Sequence, residues 1–106
     1  MLRLKISPRA YRDAQYIFDY IAERSPDGAL RWWMAFDTAA SQIAHNPDGY
    51  SLAPENDLVN YQLRQFLFKK RRGRIYRRVF TVVGDEVQIL RVRGPGQGPL
   101  QSDEIE

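Results

Sequence analysis

The chain has 106 residues, a net charge of +3, 43% hydrophobic and 12% aromatic residues, which suits one globular domain and argues against global disorder. With no cysteine and a single histidine, His45, it excludes a disulfide scaffold, a thiolate nucleophile and a Cys- or multi-His-ligated metal site. Apolar runs fall far short of the roughly 20 residues that cross a bilayer, and Met1-Leu2-Arg3-Leu4-Lys5 lacks the apolar core of a signal peptide, so no membrane partner and a cytoplasmic location are expected.

Leu2, Leu4 and Ile6 alternate with Arg3, Lys5 and Ser7, the period of a strand with one buried face. Ser7-Pro8 then reads as a helix start, the serine accepting an orphan N–H and the proline standing where no donor is needed. Ala10, Ala14, Ile17, Phe18 and Ile21 recur at helical spacing to about Arg24. Ser25-Pro26 repeats the start signal, and Leu30, Trp33, Phe36, Ala40, Ile43 and Ala44 form the inner stripe of a second helix. His45 complements the dipole at its end, before Asn46-Pro47-Asp48-Gly49 stops it. This phasing leaves Trp32 partly exposed, a candidate anchor for a partner protein.

Residues 47–60 have no regular period and read as a loop with a solvated Glu55. From Tyr61 the pattern becomes β: Leu63–Phe68, a basic connection Lys69–Arg74, Ile75–Val83, a Gly84-Asp85 turn and Val87–Arg93. The expected fold is α+β, in the order β-α-α-β-β-β, with an N-terminal helical hairpin on one face of a small, twisted, mainly antiparallel sheet and the other face open. Residues 1–93 form the domain, and residues 94–106, rich in glycine and proline, read as a flexible tail. Alternation sets Arg77 on the open side, with Tyr76, Arg78, Phe80 and Val82 toward the helices. It likewise sets Arg91 and Arg93 on one side and Leu90 and Val92 on the other. A charge at Arg78 then has to snorkel to the rim or pair with Asp13, Asp19 or Asp37.

The charge is unevenly spread. Residues 1–60 carry six basic and eight acidic side chains, net −2, whereas residues 61–93 carry ten basic and two acidic, net +8. A block of that density reads either as a polyanion surface or as a solvated basic face.

An ordered series of short stretches resembles the RelE/ParE superfamily of bacterial type II toxin–antitoxin toxins. It comprises Ile6-Ser7-Pro8-Arg9-Ala10, Tyr20-Ile21-Ala22, Ser25-Pro26, Asn46-Pro47, Leu52-Ala53-Pro54-Glu55-Asn56, Leu63-Arg64-Gln65, Lys70-Arg71-Arg72-Gly73, Tyr76-Arg77 and Val87–Arg93. The resemblance runs from about residue 4 to 97 and implies the fold already reached, a cognate antitoxin partner and growth inhibition. It splits on the target. RelE-like members cut messenger RNA at the ribosome with Lys/Arg and a C-terminal His or Tyr; ParE-like members poison DNA gyrase. For the first kind, Arg77, Arg93 and Arg64 match basic positions of the cleavage site, with Lys70 or Lys69 assisting proton transfer and Arg71, Arg72, Arg74 and Arg91 binding RNA. The antitoxin would dock on Trp32. No metal or small-molecule cofactor is implied. Where many relatives carry a histidine after the fourth-strand arginine, this chain has Gly94. Ribosome-dependent mRNA cleavage is the first expectation, gyrase poisoning the second, and a basic binding module with decayed activity the third.

Overall fold

A serine–proline pair opens each long helix of the computed structural model, which describes residues 2–69 and 74–105. Ser7 Oγ accepts the Ala10 N–H at the start of α1 (Pro8–Ala22), and Ser25 Oγ accepts the Gly28 N–H at the start of α2 (Pro26–His45), each at 3.0 Å. Such a cap stabilises a helix by about 1 kcal/mol. Strands β1 (Arg3–Ile6), β2 (Arg64–Lys69), β3 (Ile75–Val83) and β4 (Glu86–Arg93) form one sheet in the order β1-β4-β3-β2. β1 runs parallel to β4, and the other pairs are antiparallel. The fold is therefore the α+β arrangement expected, with the helical hairpin on one face.

Under that hairpin, Ala10, Ala14 and Ile17 of α1 and Phe36, Ala40 and Ile43 of α2 meet Tyr76, Phe80, Val87, Ile89 and Val92 of the sheet. Phe36, Ala40, Ile43 and Ala44 of α2 are buried as expected, but nearer its start Ala29 and Trp32 face inward where Leu30 and Trp33 were expected. Trp32 is 1% exposed, stacked on Phe36 and set edge-on to Tyr76, whereas Trp33 is half-buried and meets Tyr11 and Phe18 of α1. The two indoles serve different seams, Trp32 the helix–sheet seam and Trp33 the interhelical one. Trp32 is thus a core residue and not an exposed antitoxin anchor, while Leu30 is exposed. Val82, expected inside, sits near the strand end and is also exposed.

Arg78 lies on the helix side as alternation requires, but it neither snorkels nor forms an ion pair among the described residues. It is fully buried, its guanidinium 3.7 Å from the Phe36 ring centre and 4.6 Å from that of Phe68, with no hydrogen-bond acceptor among the described residues. Burial lowers its pKa to about 9, against an opposing pull from Asp37.

The second face of the sheet is not bare. Residues 47–60 form two 3-10 turns, Pro47–Gly49 and Pro54–Leu58, and residues 94–105, within the segment expected to be unstructured, return across the sheet to the short helix α3 (Ser102–Ile105). Leu100 and Ile105 pack with Ala53, Leu63 and Val79 into a second apolar cluster, joined by Leu90. Leu90 reaches that side because the β3–β4 register slips between Val79 and Phe80, so that Arg91 pairs with Val79 and Ile89 with Phe80. The extra residue is turned outward, which simple alternation from Val92 does not foresee.

Candidate functional site

β1 pairs with β4 only as far as Ile89, leaving the edge of β4 beyond it without a strand partner among the described residues. Side chains of the first turns of α1 take over there. Ser7 Oγ donates to the Leu90 carbonyl at 2.9 Å, and Asp13 accepts the Val92 N–H at 3.0 Å. The same carboxylate receives Nε and Nη2 of Arg91 at 2.6 and 2.9 Å, a bidentate pair completed by an Nη1 bond to the Glu104 carbonyl at 2.8 Å. These bonds to Asp13 raise the Arg91 pKa above its ordinary value, outweighing burial.

Arg77 and Arg93 face each other across β3 and β4 and so share the second face, as expected. Each is already engaged. Arg77 binds both carboxylate oxygens of Glu55, which the second 3-10 turn buries to 2% exposure, and Gln65 Oε1 lies 3.4 Å from it. The loop glutamate expected in solvent is thus an interior anion. Burial alone would raise its pKa, but the Arg77 bonds and the Leu100 N–H at 2.8 Å outweigh that and hold the carboxyl below its ordinary value. Arg93 donates through Nε and Nη2 to the Gly98 carbonyl at 3.1 and 2.7 Å, with Glu104 at 3.9 Å.

Arg64 does not join this group. It pairs in register with Phe80, which belongs to the helix-covered core, so it sits on the opposite face from Arg77 and bonds the Tyr50 carbonyl and Gln62. Alternation within β2 separates it from the arginine row, and the expectation of a three-arginine phosphate clamp is corrected accordingly. Lys70, Arg71 and Arg72 lie outside the described residues, as does the Lys69 side chain. Arg74 is exposed and stands beside Tyr76.

Two clefts lie on the α1 side. The larger, about 380 Å³, is lined by Tyr16, Tyr20, Arg74, Tyr76 and the turn Gly94–Gln97. The other, about 290 Å³, includes Arg12, Asp13 and Val92 and shares Tyr16 and Gln97 with the first. Gly94 forms part of the larger cleft's wall, where a Cβ would meet the Tyr76 ring at 3.4 Å, and the Gly94 N–H donates to Gln97 Oε1 at 2.6 Å. Sequence reasoning missed this region because nothing in Tyr20-Ile21-Ala22, Tyr76-Arg77 or the Gly94–Gln97 turn reveals that segments so distant in sequence meet in one cleft. The signal that was available is the one-turn spacing of Tyr16 and Tyr20 on the polar side of the helix.

A family model described as "ParE toxin of type II toxin-antitoxin system, parDE" matches residues 4–97. Among solved structures, the chromosomal ParDE toxin–antitoxin system from P. aeruginosa is similar with a TM-score of 0.68 and 23% identity, covering 89% of this chain and 96% of that one. At that identity the likeness concerns the fold. No curated protein sequence matches the chain.

Proposed function

Since the chain belongs to the ParE toxin family of type II toxin–antitoxin systems, we propose that it inhibits growth by binding DNA gyrase, and that its arginine row is structural. A cognate antitoxin is its partner by virtue of the family. No helix among the described residues is long and apolar enough to cross a membrane, and we infer cytoplasmic action, where antitoxin and gyrase are met.

The observation that carries this reading is the bidentate seat of Arg77 on buried Glu55. Cleavage of RNA by its own 2′-hydroxyl needs a general base, a general acid and cations free to meet the charge that develops on phosphorus. Here Arg77 and Arg91 each hold a carboxylate, Arg93 holds a carbonyl, and Arg64 is on the other face. Arginine itself stays protonated and moves protons poorly. Glu55 is a poor base, because its oxygens already accept from Arg77 and Leu100 and it is closed to solvent. The gyrase reading, by contrast, asks nothing of these groups except that they hold the fold.

The test sets two assays on the same protein. Purified gyrase should lose supercoiling activity or accumulate cleaved DNA when the chain is added, while primer extension on messenger RNA from expressing cells shows no codon-linked cuts. Codon-linked cuts together with undisturbed supercoiling would overturn the proposal in favour of ribosome-dependent cleavage.

A further inference from the structure

On the second face of the sheet the arginines are neutralised by the chain's own carboxylates and carbonyls, but on the α1 side they are not. Among the described residues no carboxylate lies within ion-pair distance of Arg12, Arg24 or Arg74. Arg24 instead sits over the Tyr20 ring at 5.5 Å, and Arg74 bonds the Tyr76 hydroxyl. Asp13, the acid nearest the groove, has both oxygens taken by Arg91 and the Val92 N–H. Arg74 lines the larger of the two clefts and Arg12 the smaller, so each carries a guanidinium in its wall, and the clefts share Tyr16 and Gln97.

Aromatic rings line the same groove. Tyr16 is 68% exposed and Tyr20 49%, one helical turn apart and thus about 6 Å along the axis. Exposed rings at that spacing, flanked by unneutralised guanidinium groups, form a platform on which successive unpaired bases stack while their phosphates meet cations. An acidic peptide would answer the charge but not the shape. A peptide anchors through apolar side chains in a hole, and the aliphatic residues here, Ile17 and Val92, are 7% and 1% exposed and already packed in the core. The rest of the lining is tyrosine, arginine, Asp13 and the Gly94–Gln97 turn, a polar and aromatic surface. A duplex is excluded by the same logic, since its bases are stacked on one another and offer no face to a tyrosine.

We propose that the groove between α1 and the turn after β4 binds single-stranded nucleic acid, two neighbouring bases stacking on Tyr16 and Tyr20 and the flanking phosphates meeting Arg12 and Arg74. The site binds without cleaving and is separate from the row of Arg77, Arg91 and Arg93. It does not depend on which protein the toxin inhibits.

Fluorescence anisotropy of end-labelled ten-nucleotide oligomers, added to the full chain, tests it. Oligo-dT and oligo-rU should both bind, more weakly as salt rises, and an excess of the tighter oligomer identifies DNA or RNA as the preferred source. Tyr16→Ala, Tyr20→Ala and Arg74→Ala should each weaken binding about tenfold, Tyr16→Phe should restore it, and Arg3→Ala on the far edge strand should leave it unchanged. Circular dichroism of each variant separates lost binding from lost fold. Absence of binding by the folded wild-type chain, equal losses from Arg3→Ala and Tyr16→Ala, or displacement of the oligomer by poly-glutamate at equal charge concentration would each overturn the proposal.

Discussion

The guanidinium of Arg77 and the carboxylate of Glu55, 22 residues earlier in the chain, meet through paired nitrogen and oxygen atoms beneath the returning tail. A third bond, from the Leu100 N–H, ties the tail to the same carboxylate at 2.8 Å. Three segments distant in sequence, the 3-10 turn, β3 and the tail, are thus fastened at one anion.

That carboxyl titrates below its ordinary value of 4.5, because the Arg77 and Leu100 bonds outweigh its burial. A depressed folded pKa means the stabilisation is fully present above about pH 4.5 and is lost as pH falls through the folded value. Urea unfolding followed from pH 7 to 3 should therefore show a steep acid loss in the wild type. Glu55→Gln should be less stable at pH 7 and flatter below 4.5. An unchanged acid slope in that variant would show that Glu55 does not carry the dependence.

Arg78 should be dispensable for stability. Removing a guanidinium from water costs several kcal/mol, while a desolvated cation–π contact returns about 2 kcal/mol, so the two rings do not fully offset the loss. Arg78→Met, an unbranched apolar side chain whose thioether can pack against Phe36 and Phe68, should gain on the order of 1 kcal/mol, raising the melting temperature by about 5 °C. A drop of similar size would mean the guanidinium holds an unrecognised anion.

The order of elements was legible because each start carries a local reason: the two Ser-Pro pairs, the helical stripes and the period-two runs. Arg77 and Arg93 were correctly set on one face because alternation is local too. What failed depended on distant partners. Nothing near Glu55 in sequence reveals that Arg77 will bury it, and nothing in the Gly/Pro-rich segment 94–99 announces that Leu100 and Ile105 find a pocket beside Val79. Leu90 was misassigned because a single bulge reverses strand parity, and Trp32 because two adjacent tryptophans fit a stripe equally well in either phase. Arg64, at the start of β2, was grouped with Arg77 by the family resemblance, although the register sets them on opposite faces.

Asp13 joins α1 to the free edge of β4, holding the Val92 N–H and two nitrogens of Arg91. Asp13→Ala removes all three bonds and leaves Arg91, only 12% exposed, without its counter-ion. A loss of about 2 kcal/mol is expected in chemical denaturation, less than for a fully buried pair because both side chains retain some solvent. Amide exchange at Val92 should accelerate in the same variant. A protected Val92 amide in Asp13→Ala would contradict this edge-capping role.

The tail is a structural element. Leu100→Ala should cost about 2–4 kcal/mol, since it opens a cavity in the cluster of Ala53, Leu63 and Val79. A free tail predicts no change. Ile105→Ala gives a second reading at the far end of the same segment, where Ile105 is 3% exposed.

The most direct measurement of whether the arginine row is structural compares Arg77→Met with the double variant Glu55→Met/Arg77→Met, for both folding stability and growth inhibition. The single change strands a buried carboxylate and should cost about 3 kcal/mol. The double change removes both charges together, so it should recover most of that loss and remain toxic. A double variant that folds as stably as the wild type yet no longer arrests growth would contradict the account, because Arg77 would then act on the target.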